Sequence, residues 1–444
     1  MTLPETLAGE LSRAVGTAQS ERRLPSVSAA VTRNGEIIWS EAIGLASVEP
    51  RQDAARETQY RVGSITKTFT AAAVLRLRDD GALALDDPVG KHLPRAPDAT
   101  PTIRRLLSHA SGLQRELPGT TWETLGFPTA EELVATLAEA EEVLEAGRHW
   151  HYSNLAFALL GQVVAGYAGM PYERFVDQRF LQPLGLGRTT WTAVSPSARG
   201  YFVEPFADSV RPEPDLDLAG AAAAGQLWST AVDLCRWGSF LADPDESILD
   251  PETVEEMHAV QVIADNDRWT SGWGLGISLG REGERIYAGH GGGMPGFLSG
   301  LAYLRKEKIA AAALANGVAD MQQVAVELAG KVADAFPAEP EAWAPDDPAP
   351  SDIADVLGRW WSEGEETILR YRRGRLEARR TGDPADKEPS VFVQEGPNLF
   401  RVASGRERGE ALRVERDDVG EPVRLYWATY PFFRAPRTFA ELGD

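Results

Sequence analysis

Cysteine is almost absent from this chain: Cys235 is the single thiol in 444 residues. One thiol closes no internal disulfide and completes no multi-cysteine zinc or iron–sulfur site. Cations are in the minority as well, with 45 Lys+Arg against 66 Asp+Glu and a formal net charge of −21. Nucleic-acid affinity rests on clustered cations that neutralise phosphates, and anionic membranes attract the same groups. So acidic a chain argues against both partners. No run of about 18 uninterrupted apolar residues is available to span a bilayer. The first residues also lack the basic start and apolar run of a secretory signal. A cytoplasmic protein is therefore the expectation.

What is present suits a large folded protein. Apolar side chains make up 43% of the residues, enough core for two or three domains at about 100–200 residues each. Thr2-Leu3-Pro4-Glu5 reads as a capping box, and Leu3, Leu7, Leu11 and Val15 at four-residue steps predict an amphipathic first helix. Asn34-Gly35 between Ser26–Thr32 and Glu36–Glu41 predicts a hairpin. From Ser64 to about Ala242 the pattern is mostly helical. Strand-like segments return at Trp273–Leu279, Arg285–Ala288, Leu298–Leu304 and Ile309–Leu314, before a helix over roughly Asp320–Phe336. Strands at both ends and helices between them imply one antiparallel sheet built from both ends of residues 1–336, flanked by helices, with an all-helical insertion: an α/β (α+β) domain. Prolines at 337, 340, 345, 348 and 350 mark 337–350 as a semi-rigid linker. Residues 351–444 hold short β-prone segments, among them Thr367–Tyr371, Leu399–Val402 and Val423–Ala428, and predict a small antiparallel β barrel or sandwich.

Three stretches carry the chemistry. In Gly63-Ser64-Ile65-Thr66-Lys67, the serine and lysine stand three residues apart at the start of an apolar helix. Both project from one face within a turn, and the helix N-terminus favours negative charge near Ser64. Burial among Phe69, Thr70 and Ala71–Ala73 disfavours the charged form of Lys67 and makes it a proton acceptor. The competing reading is an N-cap serine and a snorkelling lysine. His151-Tyr152-Ser153-Asn154 precedes the apolar helix Leu155–Ala168. A tyrosine near a cationic lysine there has a lowered pKa and shuttles protons, while Asn154 serves an amide; the competing reading is a packed turn aromatic and an Asn cap. Gly289-His290-Gly291-Gly292-Gly293 lies between strand-like segments, where glycines mark close approach by a ligand or another backbone.

Two further patterns lead elsewhere. Gly276-Ile277-Ser278-Leu279-Gly280 fits a nucleophile elbow, yet it enters a hairpin rather than a helix. His149 and His151 fit two metal ligands on one strand face, but no carboxylate or cysteine is placed to complete a shell. No cofactor is expected.

The order Ser64-Ile-Thr-Lys67, Tyr152-Ser-Asn154, His290-Gly-Gly292 resembles the three-motif signature of the serine β-lactamase-like superfamily. The branch it is similar to holds class C β-lactamases, D-alanyl-D-alanine carboxypeptidases, D-aminopeptidases and related esterases. Leu106-Leu-Ser-His-Ala-Ser-Gly-Leu113, Leu181–Leu186 and Gly225–Ala231 match in the same order, so the likeness covers about residues 20–335. The tail is similar to the lipocalin-like domain of some members. The resemblance implies that Ser64 is the acylated nucleophile, that Lys67 assists its deprotonation, and that Tyr152 is the general base in acylation and activates water in deacylation. It further implies that Asn154 orients the substrate amide, that Gly292 leaves room for substrate, and that the N–H groups of Ser64 and Gly293 form an oxyanion hole beside Gly291. His290 stands where many relatives have lysine, which weakens recognition of a substrate carboxylate. The expected activity is hydrolysis of small amides, short peptides (including those of D-amino acids) or esters. The alternatives are a β-lactamase or D,D-carboxypeptidase and a non-catalytic penicillin-binding-like receptor. The partner is a small-molecule or short-peptide substrate, and oligomerisation is open.

Overall fold

In a computed structural model, residues 3–96, 98–337, 343–345, 347–385, 387–438 and 441 are described. The chain divides into two compact units, Met1–Ala338 and Glu339–Asp444. Thr2 of the expected capping box, and residues 338–342 and 346 of the expected linker, lie outside the described residues.

The first unit is built on a nine-stranded antiparallel sheet. Helix α1 (Glu5–Glu21) leads into β1 (Ser26–Arg33) and β2 (Glu36–Ser47). The turn between the strands has φ of +51° at Asn34 and +81° at Gly35, the paired left-handed residues that a two-residue hairpin requires. Helices α2 (Thr66–Asp79), α3 (Asn154–Ala168) and α4 (Ala231–Ala242) belong to the long helical region. The chain then returns as β3 (Ser278–Glu282), β4 (Arg285–Met294), β5 (Phe297–Leu304) and β6 (Ile309–Ala315), followed by α5 (Met321–Ala335). Strand β6 pairs with β1 from Val27↔Ala315 to Arg33↔Ile309, so the two ends of the unit meet in mid-sheet.

Alternation along β6 divides the core. Ile309, Ala311, Ala313 and Ala315 pack with Leu7, Leu11 and Val15 of α1 and with α5. Ala310, Ala312 and Leu314 face α4 and the helical region. Opposite faces of one strand thus serve two layers, as the period of two demands. Small alanines let α4 and α5 lie close on a strand buried from both sides. Helix α2 is almost wholly buried, its threonines and Lys67 included, with Phe69 stacked on Trp237 at 3.9 Å between ring centroids.

Two strand expectations are corrected. Trp273–Leu279 is not one strand but Ser271–Trp273 and β3, broken where the chain crosses α2. A Cβ on Gly276 (φ +76°) would sit 2.3 Å from the Ala71 Cβ, so only glycine passes there. The run Gly289–Gly293 lies inside β4, which continues past Ala288 to Met294.

The second unit is an eight-stranded antiparallel sheet from Gly358–Ser362 to Tyr430–Phe432. Trp361 and Phe433 exchange N–H···O bonds of 2.8 and 2.9 Å, which nearly close it into a barrel. Trp360, Phe400 and Leu425 fill its interior. Among the described residues of the chain, no single helix is long and apolar enough to cross a membrane.

Candidate active site

Ser64 sits in the 3-10 turn Gly63–Ile65 that opens α2. Gly63 has φ +51°, and a Cβ there would lie 2.6 Å from the Gly293 amide nitrogen. The turn and β4 can therefore touch only because this residue lacks a side chain. Ser64 remains half-exposed, whereas Lys67, one turn on, is fully buried. Its Nζ donates to Ser64 Oγ at 3.1 Å, to Asn154 Oδ1 at 2.8 Å and to the Ala224 carbonyl at 2.6 Å. Three acceptors match the three protons of an ammonium. Burial nevertheless pulls its pKa from 10.5 down to about 7; Glu116 opposes that shift and Arg115 adds to it. A lysine poised there holds or yields a proton near neutrality.

The second wall comes from the start of α3. Ser153 caps the helix, its Oγ accepting from the Ala156 N–H and donating to the Gln114 carbonyl. With capping assigned to Ser153, Asn154 is free to turn inward. Its Oδ1 faces Lys67, and its Nδ2 donates to both oxygens of Glu116 at 2.8 and 3.0 Å, which fixes the amide's orientation. The Tyr152 ring lies 5.0 Å from Lys67 Nζ and is stacked on His109 at 4.2 Å. Desolvation pushes its phenol well above 10, with the Ser64 hydroxyl acting in the opposite sense. The lowered pKa expected from the lysine is therefore not found, because burial outweighs the Ser64 hydroxyl and the nearby Arg115.

The third wall is β4. Beyond Gly289↔Ser278 no described residue pairs with it on the β3 side, while Ala288–Met294 pairs with β5. His290 is 3% exposed and stacked on Trp273 at 5.2 Å. Its Nδ1 faces the Gly291 carbonyl and so carries the proton, while Nε2 has no partner among the described residues. Burial takes its pKa down to about 3, so the ring is neutral at ordinary pH. Gly292 makes room for the nucleophile's own segment rather than for substrate. A Cβ there would lie 1.9 Å from the Val62 carbonyl oxygen and 2.4 Å from Ser299 Oγ, which itself donates to that carbonyl. Gly291 turns the other way, toward Gln322 of α5 at 3.7 Å.

The fold thus brings Ser64, Lys67, Tyr152, Asn154, His290 and Gly293 to one cleft. Sequence reasoning missed three neighbours: His109, Arg115 and Glu116. Their signal was the Ser-His-Ala-Ser-Gly-Leu-Gln-Arg-Glu stretch, where polar groups follow a buried helix. Arg115 lies over the Tyr152 ring at 4.9 Å and pairs with Glu116 at 3.3 Å. Ser278 of the elbow-like pattern is a strand residue paired with Gly289, not part of this cluster. Among the described residues no group of three or more His, Cys, Asp or Glu is placed to hold a metal ion.

The profile of the family described as Beta-lactamase matches residues 11–333. The chain belongs to the beta-lactamase family. Residues 349–434 match a second profile, described as a domain of unknown function (DUF7586). "Beta-lactamase-like protein 2" of Dictyostelium discoideum is 30% identical over 58% of this chain and 50% of its own length. Esterase EstB of Burkholderia gladioli is 36% identical over 47% of this chain and 57% of its own. The matches thus span roughly half the length of these curated relatives. Among solved structures, the D-amino acid amidase of Ochrobactrum anthropi SV3, complexed with D-phenylalanine, superposes with a TM-score of 0.64 at 25% identity. That match covers 74% of this chain and all of that one. The chain therefore has the serine β-lactamase fold of a family that includes esterases and D-amino acid amidases.

Proposed function

We propose that this member is a serine hydrolase that opens small amides or esters through an acyl-enzyme on Ser64. The observation that carries the reading is the buried Lys67, 3.1 Å from the Ser64 hydroxyl and titrating at about 7. Near neutral pH a large share of the molecules hold it as an amine, whose lone pair accepts the Ser64 proton as Oγ attacks the substrate carbonyl. The oxyanion forms against the N–H groups of Ser64 and Gly293; one such donor is worth about 2.7–4 kcal/mol. Lys67, now an ammonium held by Asn154 and Ala224, returns its proton toward the leaving group. The phenol of Tyr152 keeps its proton in the free enzyme and serves as the relay. Water then attacks the acyl-enzyme by the reverse route. Lys67 thus takes the role of base that the resemblance implied for Tyr152.

Substrate preference follows from charge. His290 is neutral and offers no cation to a substrate carboxylate, while Glu116 brings a carboxylate that Arg115 partly offsets. Acyl groups that are neutral or carry an ammonium, such as D-amino-acid amides and short acyl esters, suit it better than β-lactams or C-terminal peptides. Treatment with a fluorophosphonate and mass spectrometry tests the mechanism: one adduct is expected on Ser64, with turnover of p-nitrophenyl acetate. An adduct that survives Ser64→Ala removes the mechanism, and a burst without turnover makes the protein a receptor.

A further inference from the structure

We propose that His109 is the positioning residue for Tyr152, holding the phenol in line with Ser64 and Lys67 without itself touching substrate. The inference rests on the hydrolase reading above.

His109 brackets residue 152 from both sides. Its carbonyl accepts the His151 N–H at 2.7 Å, and its Nδ1 accepts the Ser153 N–H at 3.1 Å. Between those two bonds its ring stacks on the Tyr152 ring, 4.2 Å between centroids and 29° between planes. One residue therefore holds the backbone before Tyr152, the backbone after it and the side chain itself. His109 does this from a left-handed backbone, φ +56°, a conformation uncommon for side-chain-bearing residues and better tolerated by histidine than by most.

Packing alone does not explain a histidine here. The ring is 1% exposed, against Phe157 and Trp273 at 5.0 Å each. Because Nδ1 is an acceptor, the ring proton lies on Nε2, and that buried donor has no partner among the described residues. A phenylalanine would fill the space without an unmatched ring N–H. What it lacks is the Nδ1 lone pair that receives the Ser153 amide. The same bond requires a neutral ring, since an imidazolium would set N–H against N–H. Burial is the main force against its protonation, and the basic groups around it, Lys67, His290, Arg115 and His151, act in the same direction when charged.

Three substitutions separate the contributions. His109→Asn keeps an acceptor near the Nδ1 position and tolerates the left-handed backbone but loses the stack; His109→Phe keeps the stack and loses the acceptor; His109→Ala loses both. The rate of the p-nitrophenyl acetate burst is measured for each, alone and in a Tyr152→Phe background. With Tyr152 present, His109→Ala is expected to slow acylation about a hundredfold, as misplacement by about 1 Å does. KM should stay within a few-fold, and the other two variants should fall between Ala and wild type. In the Tyr152→Phe background the same changes should cost almost nothing, because the group being positioned is gone. Equal losses in both backgrounds, or an unchanged rate with Tyr152 present, overturn the assignment. A wild-type protein that takes no label at Ser64 instead defeats the hydrolase reading. The positioning claim then stands or falls on a crystal structure of His109→Asn or His109→Ala: a displaced Tyr152 ring is expected, and an unmoved one overturns it.

Discussion

Lys67 and His290 are two buried basic side chains close enough to feel each other's charge, and their surroundings differ. Lys67 meets three oxygen acceptors and, through Asn154, the Glu116 carboxylate, which opposes the burial that takes its pKa from 10.5 to about 7. His290 faces one backbone carbonyl and aromatic rings, and burial takes it from 6.5 to about 3. The downward shift is similar for both, so the greater intrinsic basicity of an amine over an imidazole decides that only Lys67 exchanges a proton near neutrality. One wall of the cleft is thereby equipped to move protons. The other offers shape and a strand edge.

The largest expected effect breaks this division directly. Lys67→Ala should lower kcat/KM on p-nitrophenyl acetate about a thousandfold, in the range for loss of an acid–base group. His290→Ala should cost less than about tenfold, since it removes no charge. Comparable losses from the two would erase the distinction.

Next comes the seam between the walls. Gly292→Ala places a methyl group 1.9 Å from the Val62 carbonyl and should displace the Ser64 turn, at a cost of about a hundredfold in kcat/KM and several degrees in Tm. Gly291→Ala, with its nearest neighbour at 3.7 Å, should leave both nearly unchanged. Steady-state kinetics with thermal denaturation checks the pair.

The pH profile sharpens the comparison further. Below its pKa Lys67 is protonated and cannot accept from Ser64, so kcat/KM should rise with pH through about 7. Glu116 stabilises the ammonium and Arg115 destabilises it. Glu116→Gln should therefore move the rising limb to lower pH and raise activity a few-fold at pH 6. Arg115→Gln should move it to higher pH. Limbs that stay in place would show that another group titrates.

The smallest effect concerns recognition. His290→Lys introduces a more basic side chain at this buried position and should lower KM for carboxylate-bearing esters by about threefold, a modest ion-pair effect, while KM for neutral esters stays as it was.

Much of this was legible beforehand because the signals are local. Asn34-Gly35 specifies its turn, and Ser64 and Lys67 share a helix face at any tertiary setting. The glycines of β4 signalled a close approach, but not to what: Gly292 accommodates Val62, and Gly63 accommodates Gly293. The strand expected at Trp273–Leu279 was lost because Gly276 has to pass Ala71, a contact between residues some two hundred positions apart. His109, Arg115 and Glu116 stayed hidden for the same reason. Each acts on residues in another part of the chain.

The order and kind of reactive groups, the antiparallel sheet joined from both ends and the separate β unit were determined by the sequence alone, since periodicity, turn chemistry and spacing act between near neighbours. Protonation was decided only by the tertiary structure. A lysine titrates at about 7, a tyrosine keeps its proton and a histidine loses its own because burial and partners drawn from distant segments set the cost of each charge, and those are properties of the assembled fold.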